Sequence, residues 1–302
     1  MIITVLLSTY NGEKFLDKQL ESIINQVTDK TINILVRDDG STDNTIAILN
    51  KWKKKINIDI IHGENIGVIE SFNLLINKAP KSDFYALCDQ DDIWFANKIE
   101  SALDKLQEED MRNVPSLYFS NATLIDEFER PLGMNINSDR MQLSLEKAMV
   151  CNPALGCTMI FNHSALQLIN SVQIKKSPMH DKTILFLCLL VGRVIYDKNP
   201  TIYYRQHSNN VMGRKKSLKK KIKQSYRLWI KADGCTIVEF SEELLVKLDG
   251  VINQKQIEIL SQFKDYKKSF KHKIKLICNK HILTDNKRAN ISFKLRVLFG
   301  LA

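Results

Sequence analysis

The stretch "IITVLLSTYNGEKFLDKQLESIINQ" (residues 2–26) decides the fold. Residues 2–8 are apolar and β-branched without alternation, as expected of a strand covered on both faces. Asn11-Gly12 is a turn signal, and Phe15, Leu16, Gln19, Leu20, Ile23 and Ile24 then recur at helical spacing. The unit repeats in kind. "INILVRDDGS" (32–41) reads as strand and turn, and "TDNTIAILNKWKKK" (42–55) as a helix with a Ser/Thr/Asp start. "INIDIIHG" (56–63) gives a third strand, "NIGVIESFNLLINKA" (65–79) a third helix and "DFYALCD" (83–89) a fourth strand. Strand and helix alternating at this pitch predict parallel strands joined by right-handed crossovers in a doubly wound α/β sheet. Ligands of such sheets bind beyond the carboxyl ends of the strands.

Beyond residue 110 the rhythm changes. "SLYFSNATLID" (116–126) reads as a strand, "NPALGCTMIFN" (152–162) as a turn and strand, and "HDKTILFLCLLVG" (180–192) as a mostly buried helix. "GRVIYDKNPTIYYRQH" (192–207) is expected to form a hairpin-like strand pair carrying Pro200, and from about Ser217 the pattern is helical.

The 302 residues carry a net charge of +10, but the excess is local. Residues 214–302 hold 22 Lys+Arg against 8 Asp+Glu, whereas residues 1–213 hold 22 against 26. The expected organisation is therefore a body over 1–213, with a nucleotide-binding half (1–110) and an acceptor half (111–213), and a basic helical region over 214–302. A basic tail on a mildly acidic body argues against nucleic acid as the partner. "SLKKKIKQSYRLWI" (217–230) and "SFKHKIKLIC" (269–278) pair apolar stripes with lysines. Such helices lie on anionic membrane, pack on the body, or join two copies in a homodimer. Six scattered cysteines without CxxC spacing read as small buried hydrophobes of a reducing compartment. The first residues lack a basic n-region, and no apolar run approaches 18 residues, so the expectation is a cytoplasmic protein, soluble or peripheral on the cytosolic membrane face.

Acidic residues gather where strands should stop: Asp38 and Asp39 after the second, Asp89, Asp91 and Asp92 after the fourth. Carboxylates this close raise one another's pKa unless a cation or hydrogen-bond donors offset them. Hard oxygen ligands favour Mg²⁺ or Mn²⁺, which bind through one or two carboxylates plus substrate phosphates. For a single carboxylate, capping of the next helix is the simpler reading; three in four residues ask for more. GxGxxG and GxxxxGK[ST] are both absent, which removes a dinucleotide dehydrogenase and a P-loop NTPase. No basic glycine-rich triphosphate loop supports a nucleotidyltransferase.

"STYNGEKFLDKQLESIINQ", "RDDGSTDNT", "ENIGVIESFN" and "CDQDDIW" resemble the successive motifs of family 2 glycosyltransferases with the GT-A (nucleotide-diphospho-sugar transferase) fold. "SPMHDKTILFLCLLVG" and "YYRQHSNNVMG" resemble the later motifs of the rhamnosyltransferase-like branch that builds bacterial surface polysaccharides such as capsule. The resemblance implies an inverting, metal-dependent transferase taking a nucleotide-diphosphate sugar to a glycan or lipid-linked glycan acceptor. The donor it suggests is dTDP-L-rhamnose; a UDP-hexose enzyme of the same fold, or a non-catalytic binding homologue, would carry the same framework.

The resemblance also implies roles. Thr9, Tyr10, Asn11 and Glu13 would form the first donor loop, Asp39 beside Asp38 would meet the pyrimidine, and Asn65 and Gly67 would form the next nucleotide loop. Asp91, Asp89 and His207 would hold the cation, with Gln90 and Arg205 near the diphosphate. Asp92 and Trp94 would shape the sugar pocket, Gly156 and Cys157 would floor the acceptor site, and Asp181 would be the base with His180 orienting it or the acceptor. Taken alone, His180 is equally a helix-start neighbour, and His207 a structural histidine.

Overall fold

The structure is a computed structural model that describes residues 1–107, 113–207 and 236–302. The four amino-terminal strands are β1 (Ile2–Thr9), β2 (Thr31–Asp38), β3 (Ile58–His62) and β4 (Phe84–Asp89), all mutually parallel. Helices α1 (Leu16–Ile24), α2 (Thr45–Lys53) and α3 (Val68–Lys78) connect them. The short β5 (Ile93–Trp94) and helix α4 (Lys98–Gln107) follow. The second half adds β6 (Ser116–Asp126), β7 (Pro131–Asn135), α5 (Leu145–Val150), β8 (Met159–Asn162), α6 (His163–Val172), α7 (His180–Val191) and β9 (Arg193–Gln206). The sheet runs β3-β2-β1-β4-β8-β6-β9-β5, with β7 on β6. It is mixed because β8 runs against both β4 and β6, and β5 against β9.

Both faces of the sheet are covered, which explains the unbroken apolar runs. Alternate residues enter opposite cores: Tyr85 and Leu87 face one cluster, Ala86 and Cys88 the other. Likewise Leu117 and Phe119 separate from Tyr118 and Ala122 along β6. Helices α1, α2 and α4 cover one face; α3, α5, α6 and α7 cover the other. Helix α7 is apolar almost all round and buried to match.

The expected hairpin at 192–207 does not form. The segment is the single strand β9, parallel to β6 along its length, with a register shift where Asp197 faces Ser120 and Pro200 faces Asn121. The chain absorbs Pro200 in this bulge, and Asp197 Oδ1 accepts the Asn199 amide at 2.9 Å.

The tail contributes α8 (Ile237–Lys247), α9 (Gln254–Asp265), α10 (Phe270–Cys278) and α11 (Lys287–Phe299). The first two start with capping boxes, Thr236 with Glu239 and Asn253 with Gln256. Phe240, Leu244, Leu260, Phe263, Phe293 and Val297 join the same hydrophobic cluster as α7 and the sheet. The helices expected around 217–230 lie outside the described residues. No helix among the described residues is long and apolar enough to cross a membrane. Cys88, Cys151, Cys157, Cys188 and Cys278 are free thiols; Cys88, Cys157 and Cys188 are buried as expected, Cys151 is half-buried, and Cys278, contrary to expectation, is exposed at the end of its helix.

Candidate active site

The register that aligns Thr9 with Asp38 and Ser8 with Asp89 brings the ends of β1, β2 and β4 to one edge. A cavity of about 550 Å³ opens there, lined among others by Tyr10, Asn11, Asp39, Asn65, Gly67, Asp89, Gln90, Asp91, Gly156, His180, Asp181 and His207. Residues as distant in the chain as Ser8 and Asp89 therefore meet because the parallel strands end in register.

The loops after β1 and β2 are stitched together. The Asn11 and Gly12 amides donate to Ser41 Oγ at 2.9 Å and Thr45 Oγ1 at 2.8 Å, and the Thr42 amide donates to Asn11 Oδ1 at 2.8 Å. Asp39 accepts the Ile66 and Gly67 amides at 2.9 Å each, so it holds the third loop as well as facing the cavity. Gly67 has φ 84°, and a Cβ there would meet no atom within 4 Å. The positive φ favours glycine at this position. Gln90 grips Tyr10 at two points, its Oε1 accepting the amide at 2.8 Å and its Nε2 donating to the carbonyl at 3.0 Å.

Asp91 Oδ2 and His207 Nε2 lie 2.6 Å apart, with both side chains mostly covered. Asp89 is pushed up to about 7, first by desolvation and then by the charges of Asp91 and Asp181. Asp91 and His207 form an adjacent O/N donor pair on the cavity wall that fits Mg²⁺ or Mn²⁺, ions that bind through one or two carboxylates plus substrate phosphates. Asp89 also lines the cavity, but its carboxylate converges with buried Asp92 and Cys157 rather than with that pair, so a cation on Asp91 and His207 would have to draw it in.

Asp181 lies in the first turn of α7. Burial lifts its carboxyl to about 6, against the pull of the Lys182 and Gly156 amides, and its Oδ1 has no hydrogen-bond partner. His180 stacks on Phe72 with centroids 4.0 Å apart, and burial drives its pKa down to about 3, so the ring is neutral. Gly156 passes so close that a Cβ would sit 3.0 Å from His180 Nε2.

Several expected site residues stand behind the cavity rather than in it. Arg205, expected near the diphosphate, is buried; its amide donates to Asp92 Oδ1 at 3.1 Å and its Nε to the Asp91 carbonyl at 2.8 Å. It lies over Phe15 and reaches Glu129, locking the acidic loop to β9. Asp92, expected in the sugar pocket, is buried beside Asp89 and Cys157; desolvation, then the charges of Asp91 and Asp89, raise its pKa well above the ordinary value. Trp94, expected there too, is buried with Lys98 above its ring, because β5 turns it into the core under α1. Cys157 is buried, its carbonyl taking Lys98 Nζ at 3.0 Å; its neighbour Gly156 alone reaches the cavity. Thr9 and Asp38 bond each other at 3.2 Å beneath the first loops. Glu13 Oε2 accepts the Asn44 amide at 2.9 Å at the start of α2.

The cavity also uses Ser8, Lys14, Phe15, Val68, Leu155, Met179 and Tyr204. Phe15 stacks on His207 at 5.0 Å, a contact its helical spacing disguised as core packing. Lys14 within "NGEKF" is the one charged residue among them.

The chain matches the family described as Glycosyl transferase family 2 over residues 4–165. The chain belongs to that family. This glycosyltransferase is 31% identical over 237 residues to a dTDP-rhamnosyl transferase, RfbG, of Shigella flexneri, covering 72% of this chain and 77% of the relative. It is 26% identical to the glycosyltransferase GlyG of Streptococcus pneumoniae serotype 4, over 99% of this chain and 96% of the relative. Among solved structures it resembles S. aureus TarS 1-349 in complex with UDP-GlcNAc, with TM-score 0.61, 16% identity and coverage of 100% of this chain and 82% of TarS. It also resembles the mannosyltransferase PcManGT from Pyrobaculum calidifontis in complex with GDP-Man and Mn²⁺, with TM-score 0.56, 14% identity and coverage of 97% and 73%. The fold of the glycosyltransferase is thus GT-A, with a helical carboxyl-terminal region.

Proposed function

We propose that this glycosyltransferase inverts the anomeric centre of a nucleoside-diphosphate sugar, with Asp181 as general base. The observation that carries this reading is one cavity holding a desolvated Asp181, its Oδ1 without a hydrogen-bond partner, together with Asp39, Asp89 and the Asp91–His207 pair. The acceptor hydroxyl oxygen attacks the anomeric carbon while Asp181 takes its proton, and the bond to the diphosphate breaks with its electron pair leaving on the phosphate oxygen. Neutral His180 walls the base and keeps water from it. Gln90, Asn11 and Asp39 hold the three donor loops at fixed spacing. Asp89, Asp91 and His207 would hold Mg²⁺ or Mn²⁺, which supplies charge neutralisation to the leaving diphosphate when bound.

The donor that sequence similarity favours is dTDP-L-rhamnose, given the RfbG relative. A second cavity, of about 290 Å³, shares Leu155 and Tyr204 with the first and is lined by Asn135, Gln142, Asn152 and Gln206 beside Met141 and Leu143. Amides beside apolar faces suit a sugar ring, so this cavity is assigned to a glycan acceptor. Thermal stabilisation by dTDP-L-rhamnose, UDP-GlcNAc and GDP-Man, each with Mn²⁺, tests the donor. The reading predicts the largest rise for dTDP-L-rhamnose and fails if none of the three stabilises the chain.

A further inference from the structure

Helix α11 is apolar on two opposite sides. Phe293 and Val297 face the core, while Ile291, Leu295, Leu298 and Phe299 recur at i, i+4, i+7 and i+8 on the solvent side. Ile291 is 61% exposed and Phe299 67%. Helix α10 repeats the arrangement, with Leu276 inward and Phe270, 70% exposed, one turn before exposed Ile274. The two helices pack together, and Lys273 Nζ ties them by donating to the Leu298 carbonyl at 2.9 Å. Their outer faces therefore form one apolar surface rather than scattered exposed residues.

That surface is framed by cations. From Ser269 to Phe299 the chain carries eight Lys and Arg against one acid, Asp285. Such a density of positive charge repels a second copy of the same face and attracts an anionic one. Exposed aromatic and aliphatic side chains ringed by lysines are what an amphipathic surface needs to sit at a phospholipid headgroup boundary, the lysines on the phosphates and the apolar groups below them. We propose that α10 and α11 dock this protein on an anionic phospholipid bilayer. The short link between them lines the rim of the second cavity through Thr284, Asp285 and Asn286. Docking by this face would bring that rim to the membrane. The docking itself does not rest on the donor or acceptor assignment.

The test is sedimentation of the full chain with vesicles of phosphatidylcholine containing 30% phosphatidylglycerol (about one anionic lipid in three, enough to set the surface potential) and with phosphatidylcholine alone. The expected result is at least tenfold tighter partition into the anionic vesicles, weakened by high salt. The double variant Ile291→Gln/Phe299→Gln should lose at least tenfold, and Lys271→Glu/Lys275→Glu should lose more, at about fivefold per lysine before reversal. All four side chains are exposed, so unchanged melting temperature and nucleotide-sugar binding should accompany the loss. Equal partition into both vesicle types, no partition, or variants that bind like the parent would overturn the proposal. So would a dimer in analytical ultracentrifugation that Ile291→Gln/Phe299→Gln abolishes without any vesicle binding, since the face would then belong to a second copy.

Discussion

Replacing Asp181 with Asn separates what the carboxylate does for transfer from what it costs the fold. The Asp181 carboxyl is 7% exposed, and desolvation raises it from 3.8 to about 6. An acid whose folded pKa is raised holds its proton longer in the native state than in the unfolded chain. Stability is then greatest below 3.8 and is lost as pH rises through about 6. The rise amounts to about 3 kcal/mol at pH 8, at about 1.4 kcal/mol per pKa unit. Asn cannot ionise, so the variant avoids this loss. Its melting temperature should match the parent near pH 4 and exceed it by about 5 °C at pH 8, taking the entropy of unfolding per residue for a chain of this size. Removing the Asp181 charge also relieves Asp89, which adds in the same direction. Transfer should fall by about 10³-fold with donor affinity unchanged, and the parent's transfer rate should climb as pH passes through about 6. Scanning calorimetry at several pH values, run beside a transfer assay, reads both. A stability difference that stays constant from pH 4 to pH 8 would refute the desolvation argument, and retained transfer would refute the base.

Three further outcomes follow from the same geometry. Asp91→Asn and His207→Ala should each weaken Mn²⁺-dependent binding of the nucleotide sugar at least tenfold in calorimetry, and a chelator should reduce the parent to the same level. Gly67→Ala should cost about 2 kcal/mol through backbone strain alone, seen as a lowered denaturation midpoint, because φ 84° with ψ 161° is a conformation adopted almost only by glycine while a Cβ meets nothing there. Gln142→Trp, at an exposed lip of the second cavity, should raise the KM for a glycan acceptor while leaving hydrolysis of the donor by water unchanged; an unaltered KM would remove that cavity from acceptor binding.

Much of the framework was readable because its determinants are local. Short, mostly apolar runs, turn dipeptides and helical spacing announce β1 to β4 and their connections without any knowledge of partners. Where the reading failed, long-range packing had the last word. Pro200 is a turn signal by itself, but β6 offers a neighbour against which a bulge absorbs it. Arg205 adjoins Tyr204 and Trp94 lies three residues from Asp91, both cavity groups, yet strand geometry sends adjacent side chains to opposite sides, and sequence cannot say which side is wet. Arg205 is spent on the carbonyl of Asp91 and the carboxylate of Glu129, partners more than seventy positions away. The unpartnered Oδ1 of Asp181 was equally invisible, since only the closing of α7 over Gly156 and Phe72 dries its surroundings.

The change of charge near residue 214 suggests a detachable appendage, but the contacts of α8 describe something else. Phe240 meets Phe186 edge-on at 5.2 Å and lies 5.5 Å beneath Lys182, the residue following Asp181. The far wall of the helix that bears Asp181 is thus supplied by the carboxyl-terminal third. A chain cut near 213 would not be a smaller enzyme but one with its interior open, and melting should be a single event rather than two. It follows that this region cannot be exchanged between relatives as an independent cassette to redirect acceptor choice. Any graft would have to carry Phe240 together with the face of α7 it touches, so that inheritance of the tail and inheritance of the helix holding Asp181 are bound into one unit.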